Sequence, residues 1–178
     1  MGTCKELLVG CGARRQKILT PTGVGLAWRG LVTLDINESH HPDVTWDLAN
    51  LPLPFEDECF DEIHAYEVLE HVGQQGDYKF FFAQFADFWR LLKPDGWLFG
   101  TVPEPNTAWV WGDPSHTRAI LPESLIFLSQ KMYKENVGQN PMSDFRHIYR
   151  ADFELRFSQI SNGLFLFGLQ AVKPARLE

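Results

Sequence analysis

Four short stretches of the chain carry residue types from which a ligand site can be built. Leu7-Leu8-Val9 runs into Gly10-Cys11-Gly12, and glycines let a backbone turn sharply and let a ligand approach it closely. Asp35 stands near the end of the apolar run GLVTLDIN, 30–37. A carboxylate there can accept both hydroxyl hydrogens of a ribose. Asp47 and Leu48 close DVTWDL, 43–48, and offer a carboxylate and a backbone N–H beside an apolar contact. Ala65, Tyr66 and Glu67 lie toward the end of FDEIHAYEV, 60–68, and lead into Leu69-Glu70-His71. The glycine pair is not a dinucleotide loop, because G-x-G-x-x-G requires glycine where Arg15 stands.

Each stretch follows an apolar run that reads as a strand: 5–10, 30–37, 43–48 and 60–68, with a fifth at 96–103. In α/β folds the ends of such strands are where ligands gather. Between the strands, Phe81, Phe85, Phe88, Trp89 and Leu92 fall at helical spacing and predict one amphipathic helix over 74–93, ended by Lys93-Pro94-Asp95-Gly96. A second helix is expected over 121–133, with Pro122 in its first turn. TPTG in 20–23 leaves room for only a short helix after the glycine turn. Alternating RADFELRFSQI (150–160), then Ser161-Asn162-Gly163, then LFLFGLQAVK predict a terminal antiparallel hairpin. The pattern is that of one α/β domain, residues 1–178, with a largely parallel sheet. Residues 104–149 are too long for a plain linker and read as a substrate-side insertion.

The bulk numbers narrow the function. The net charge of −7 argues against affinity built mainly on phosphate neutralisation, so there is no strong nucleic-acid signal, although a local basic patch stays open. Three cysteines without a CxxC pair point to a reducing, cytoplasmic setting. No apolar run reaches the roughly 18 residues of a membrane span. His40-His41 has no third ligand in view and reads as an exposed loop, so no metal is expected.

The ordered series LLVGCG (7–12), LVTLDIN (31–37), WDLANLPLPFEDECFDEIHAYEVLEHV (46–72) and FWRLLKPDGWLFGTVP (88–103) resembles the class I S-adenosylmethionine-dependent methyltransferases, in their small type 11-like group, whose compact versions occur in bacteria and phages. The resemblance implies a Rossmann-like seven-stranded sheet of order 3-2-1-4-5-7-6 with helices on both faces, here with a shortened N-terminus. It implies roles for residues too. Gly10, Cys11 and Gly12 would pass under the methionine part of the cofactor. Asp35 would hold the ribose, Ile36 would lie against the adenine, and Asp47 and Leu48 would bind its edge. Ala65 and Tyr66 would lie near the sulfonium, and Glu70 and His71 would shape the site. In WGDPSHTR, Asp113 and His116 would deprotonate the acceptor, and Trp111 and Arg118 would bind it. The acceptor is expected to be a small molecule, saccharide or similar compound.

Arg14 departs from the family pattern, standing where a third glycine is usual. It either pairs with the cofactor carboxylate or crowds it. The chain begins at the first strand, so an open site is expected, closed by residues 104–149 or by a second subunit in a homodimer. Arg14 and the short start motivate an alternative, a non-catalytic binding or assembly module of the same fold.

Overall fold

The computed structural model describes residues 5–23 and 27–177. Seven strands form one sheet: β1 Glu6–Val9, β2 Leu31–Asp35, β3 Val44–Thr45, β4 Phe60–Tyr66, β5 Leu92–Pro103, β6 Phe153–Ser161 and β7 Leu164–Ala171. Their order is β3-β2-β1-β4-β5-β7-β6. The first five run parallel, while β7 is antiparallel to both β5 and β6. Strand order reverses between β1 and β4, and in open α/β sheets that crevice is where ligands bind.

The principal core lies on one face of the sheet. Leu7, Val9, Leu34, Ile63, Ala65, Leu98 and Val102 alternate onto it. Helix α1, Tyr78–Leu91, covers them with Phe82, Phe85, Phe88 and Leu91. Asp77 caps α1 by accepting from the Phe80 N–H at 3.1 Å. The helix passes directly into β5, which starts four residues before the expected strand. Lys93 to Gly96 leave the ladder, since the register jumps from Phe60–Leu92 to Glu62–Trp97. The hairpin turn is Asn162-Gly163, both at positive φ, the two-residue geometry that matches strand twist.

The helix expected over 121–133 is broken. It is replaced by α3 Pro122–Leu125, a 3₁₀ turn Ile126–Leu128 and α4 Gln130–Asn136; a further short helix, α2, spans Trp109–Gly112. The break is at Ser129, whose backbone is extended and whose hydroxyl caps α4. The Gln130 N–H is drawn to the buried Asp152 carboxylate at 2.9 Å, so it cannot continue the preceding turn.

On the other face, over β1 and β4, the covering layer is irregular chain. No helix occurs in the described part of 13–29. Lys17 is buried between Glu6 Oε1 at 2.9 Å and Glu62 Oε2 at 2.6 Å. His64 Nε2 also lies 3.0 Å from Glu62 Oε2, and its Nδ1 lies 2.6 Å from the Tyr66 hydroxyl. The Tyr66 oxygen accepts the N–H groups of Ile18 and Leu19 at 3.2 and 3.0 Å. Its own proton therefore goes to His64 Nδ1, which makes His64 neutral with its proton on Nε2. Trp28 closes the layer edge-on against His64. This polar stitching fixes a segment whose composition disfavours a helix.

Candidate functional site

Two adjoining cavities open at the carboxyl edge of the sheet. The first, about 350 Å³, is lined by Gly10, Gly12, Leu34, Asp35, Ile36 and His40, with Trp46, Asp47, Leu48, Val68, His71 and Val72 on its other walls. That volume is within the usual range for a small-ligand site. Gly10 has φ +60°, and a Cβ there would come within 2.3 Å of Val68 Cγ2. Gly12 has φ +52°, and a Cβ there would meet nothing within 4 Å, so its backbone faces open space. Both glycines are thus required by conformation.

Asp35 ends β2, with its two carboxylate oxygens accepting the N–H groups of Gly12 and Asn37, each at 2.8 Å. His40 Nδ1 stands 3.3 Å from Oδ2. Burial pushes the Asp35 carboxyl up, but these donors outweigh it and hold its pKa below the ordinary value. The carboxylate is therefore charged, oriented and still able to accept from a ligand. Ile36 is 67% exposed at the rim. Asp47 accepts from the Ala49 N–H at 2.8 Å, and Leu48 is buried beside it.

Of the residues expected around a cofactor, Gly10, Gly12, Asp35, Ile36, Asp47 and Leu48 line this cavity. Four do not. Cys11 turns its side chain inward and is buried. Arg14 is exposed outside the cavity. The Ala65 side chain belongs to the core under α1. Tyr66 points to the opposite face, because strand alternation sends Glu62, His64 and Tyr66 to the side held by Lys17. Burial raises the Tyr66 hydroxyl pKa to about 12.

His40 is not the bystander of an exposed loop that its sequence context suggests, but a wall of the cavity. The 3₁₀ turn Glu38–His40 brings it back over Asp35. Arg15 secures that turn by donating to the carbonyls of His40 and His41. Nothing in the spacing of His40-His41 signals this.

The second cavity, about 380 Å³, is lined by Glu67, Glu70, His71, Trp109, Asp113 and His116, among others. His71 lines both cavities. Glu67 sits at its edge in a left-handed conformation, φ 49°, a strained state that tends to cluster at functional sites. Burial raises the Glu67 carboxyl pKa and pushes that of Glu70 to about 8.

Asp113 and His116 are thus brought together on one cavity, His116 Nε2 being 4.0 Å from Asp113 Oδ2. Arg118 and Trp111 are not with them. Arg118 is 3% exposed and turns inward, donating to the Leu69 carbonyl at 2.8 Å and to Gln84 Oε1. Burial lowers its pKa to about 10. Trp111 lies outside the cavity, and Trp109 of the same short helix, itself 70% exposed, borders it. At four residues, α2 shows too little periodicity in sequence to tell which tryptophan borders the cavity.

A family profile described as a methyltransferase domain matches residues 7–100. No curated protein matches by sequence. Among solved structures, a SAM-dependent methyltransferase from Archaeoglobus fulgidus is 15% identical with a TM-score of 0.56, the match covering 95% of this chain and 86% of that one. A SAM-dependent methyltransferase from Methanosarcina mazei is 14% identical, TM-score 0.54, covering 97% and 94%. The N-methyltransferase NodS from Bradyrhizobium japonicum WM9, in complex with S-adenosyl-L-homocysteine, is 17% identical, TM-score 0.54, covering 95% and 78%. At these identities the likeness is one of fold.

Proposed function

The chain belongs to the methyltransferase-domain family, and we propose that it is an S-adenosylmethionine-dependent methyltransferase acting on a small-molecule or saccharide-like acceptor. One observation carries this reading. The glycine turn after β1 and the Asp35 carboxylate after β2 share one cavity at the point where strand order reverses.

The residues present fit the cofactor. Asp35 would hold the ribose hydroxyls, with its orientation set by Gly12 and Asn37. Ile36, exposed at the rim, offers an apolar contact to the adenine, and Asp47 with the Leu48 N–H would bind its polar edge. Gly10 and Gly12 would run under the methionine portion. When bound, S-adenosylmethionine supplies a sulfonium methyl group that is already activated. The protein's main task is then to hold the acceptor in line, which alone can remove several kcal/mol of barrier.

The second cavity is our candidate for the acceptor. Residues 104–149 contribute Trp109, Asp113 and His116 to it, consistent with an acceptor-side insertion. His116 donates from Nδ1 to the Trp109 carbonyl at 2.8 Å, which leaves Nε2 as a lone pair able to take an acceptor proton. The negative charge of the chain favours an acceptor other than nucleic acid. No helix among the described residues is long and apolar enough to cross a membrane. A cytoplasmic setting rests on the three cysteines and their lack of a CxxC pair.

Calorimetry with S-adenosylhomocysteine tests the reading. One site per chain is expected, and Asp35→Ala should weaken it by about 1–3 kcal/mol through loss of charge-assisted hydrogen bonds. No binding at millimolar ligand would reject the reading in favour of a non-catalytic module.

A further inference from the structure

Among the described residues, two clusters combine carboxylates with imidazole close enough to share a cation: Glu6, Glu62 and His64, and Glu70, His71 and His116. The first has a cation of its own, because Lys17 Nζ sits against both carboxylates. The second has none in contact. Glu70 is 1% exposed, yet neither of its carboxyl oxygens has a hydrogen-bond partner from any other described residue. Arg118 lies within electrostatic reach, but its donors go to Leu69 O and Gln84 Oε1. A buried carboxyl group with no neighbour to bond is costly, and its orientation needs a reason.

The two histidines point to one. His116 Nδ1 faces the carbonyls of Trp109 and Val110 at 2.8 and 3.2 Å. His71 Nδ1 faces the Ser115 carbonyl at 3.3 Å and the Ser115 hydroxyl at 3.0 Å. That hydroxyl donates to Asp113 Oδ1, so it accepts from His71. A carbonyl only accepts, so both rings carry their proton on Nδ1 and present Nε2 as a lone pair. This is the outer-shell arrangement that orients metal-binding histidines. His71 Nε2 is 4.0 Å from Glu70 Oε1. One ligand atom from each of Glu70, His71 and His116 lies within 4.8 Å of the others. Ligands bonded at about 2.1 Å would stand somewhat closer together, a difference that small side-chain rotations close.

We propose that Glu70, His71 and His116 bind a divalent transition-metal ion, with Asp113 beside His116 as a further ligand or as the holder of a metal-bound water; with the ion bound, the His116 Nε2 lone pair is committed to it rather than to an acceptor proton. Two imidazoles and a carboxylate suit zinc, iron, cobalt or manganese better than magnesium or calcium. The ion lies in the wall of the second cavity, next to the histidine that both cavities share, and a remaining coordination position would take an oxygen of the acceptor. That last role rests on the methyltransferase reading; the metal site itself does not. The sequence gives no hint of it, because the third ligand comes from 45 residues beyond His71.

The test uses the full chain, stripped with chelator and titrated with Co²⁺ by visible absorption, Mn²⁺ by loss of its free electron-spin signal, and Zn²⁺ by calorimetry. At least one of these ions should bind once per chain at micromolar concentration. Glu70→Gln and His116→Gln should each weaken binding roughly 10–100-fold, while His147→Gln, an exposed histidine far along the chain, should leave it unchanged. Circular dichroism checks folding, and if Glu70→Gln does not fold, His71→Gln, at the exposed position of the three, carries the test with the same expected loss. Failure of all three ions to bind, or binding that survives the folded variants, overturns the proposal. S-adenosylhomocysteine is titrated in parallel. Binding of it without metal rejects only the metal site, and binding of metal without it rejects only the cofactor reading.

Discussion

Lys17 Nζ lies 2.6 Å from Glu62 Oε2, both side chains out of water, and the pair pins an irregular segment to the centre of the sheet. Glu6 shares the same ammonium at 2.9 Å, and Arg29 reaches toward both carboxylates from the surface. Removing one member of a buried ion pair leaves uncompensated charge, which costs about 3–5 kcal/mol. Lys17→Met should therefore lower unfolding free energy by that order in urea titration. A loss below about 1 kcal/mol, the level of a surface pair, would show that the contact is incidental.

His64 makes stability depend on pH with a definite sign. Burial pushes its pKa below the ordinary 6.5, against the opposing pull of Glu62. Below 6.5 the unfolded chain takes up a proton that the folded chain refuses, so stability falls as pH drops from 6.5 toward the folded pKa. Above 6.5 the contribution is complete and constant. Thermal melts between pH 6.5 and 5.5, above the ordinary 4.5 of Glu62, should show the native protein losing stability relative to His64→Gln, the opposite contribution of the raised Glu67 and Glu70 being common to both. Parallel slopes would refute the assignment.

The two glycines of the first turn should fail differently. Gly10→Ala drives a methyl to 2.3 Å from Val68 Cγ2 at positive φ, so it should lower stability sharply. Because Val68 Cβ itself would stand at 2.8 Å, adding Val68→Gly, not Val68→Ala, should relieve the clash but not the roughly 1–2 kcal/mol left-handed backbone cost. Gly12→Ala meets nothing and should carry only that backbone cost, while its methyl, projecting into the cavity, weakens S-adenosylhomocysteine binding. Equal effects of the two substitutions on melting temperature would contradict this geometry.

Arg14 and Arg15, adjacent in the chain, should differ in their effect on the cofactor. Arg14 is exposed and outside the cavity, whereas Arg15 braces the His40–His41 turn. Arg14→Ala should change the calorimetric affinity for S-adenosylhomocysteine by under about 0.5 kcal/mol. Arg15→Ala should weaken it more, by loosening His40 beside Asp35. The reverse ranking would restore Arg14 to the site.

The strand runs, helix α1, the Asn162-Gly163 hairpin and the positions of Gly10, Gly12, Asp35 and Asp47 were legible in the amino-acid sequence. Each depends on local pattern: an apolar run of strand length, a helical period, a turn dipeptide, or a polar residue at the end of a run. The outward turn of Arg14, the inward turn of Arg118, and the departure of Tyr66 to the far face depend instead on which side of a strand or loop meets a partner. So do the approach of His40 to Asp35 and the meeting of Glu70 and His71 with His116. Those partners are distant in the chain, and only packing brings them together. The break at Ser129 has the same origin, since a buried carboxylate at Asp152 claims the Gln130 N–H and local helix preference yields to it.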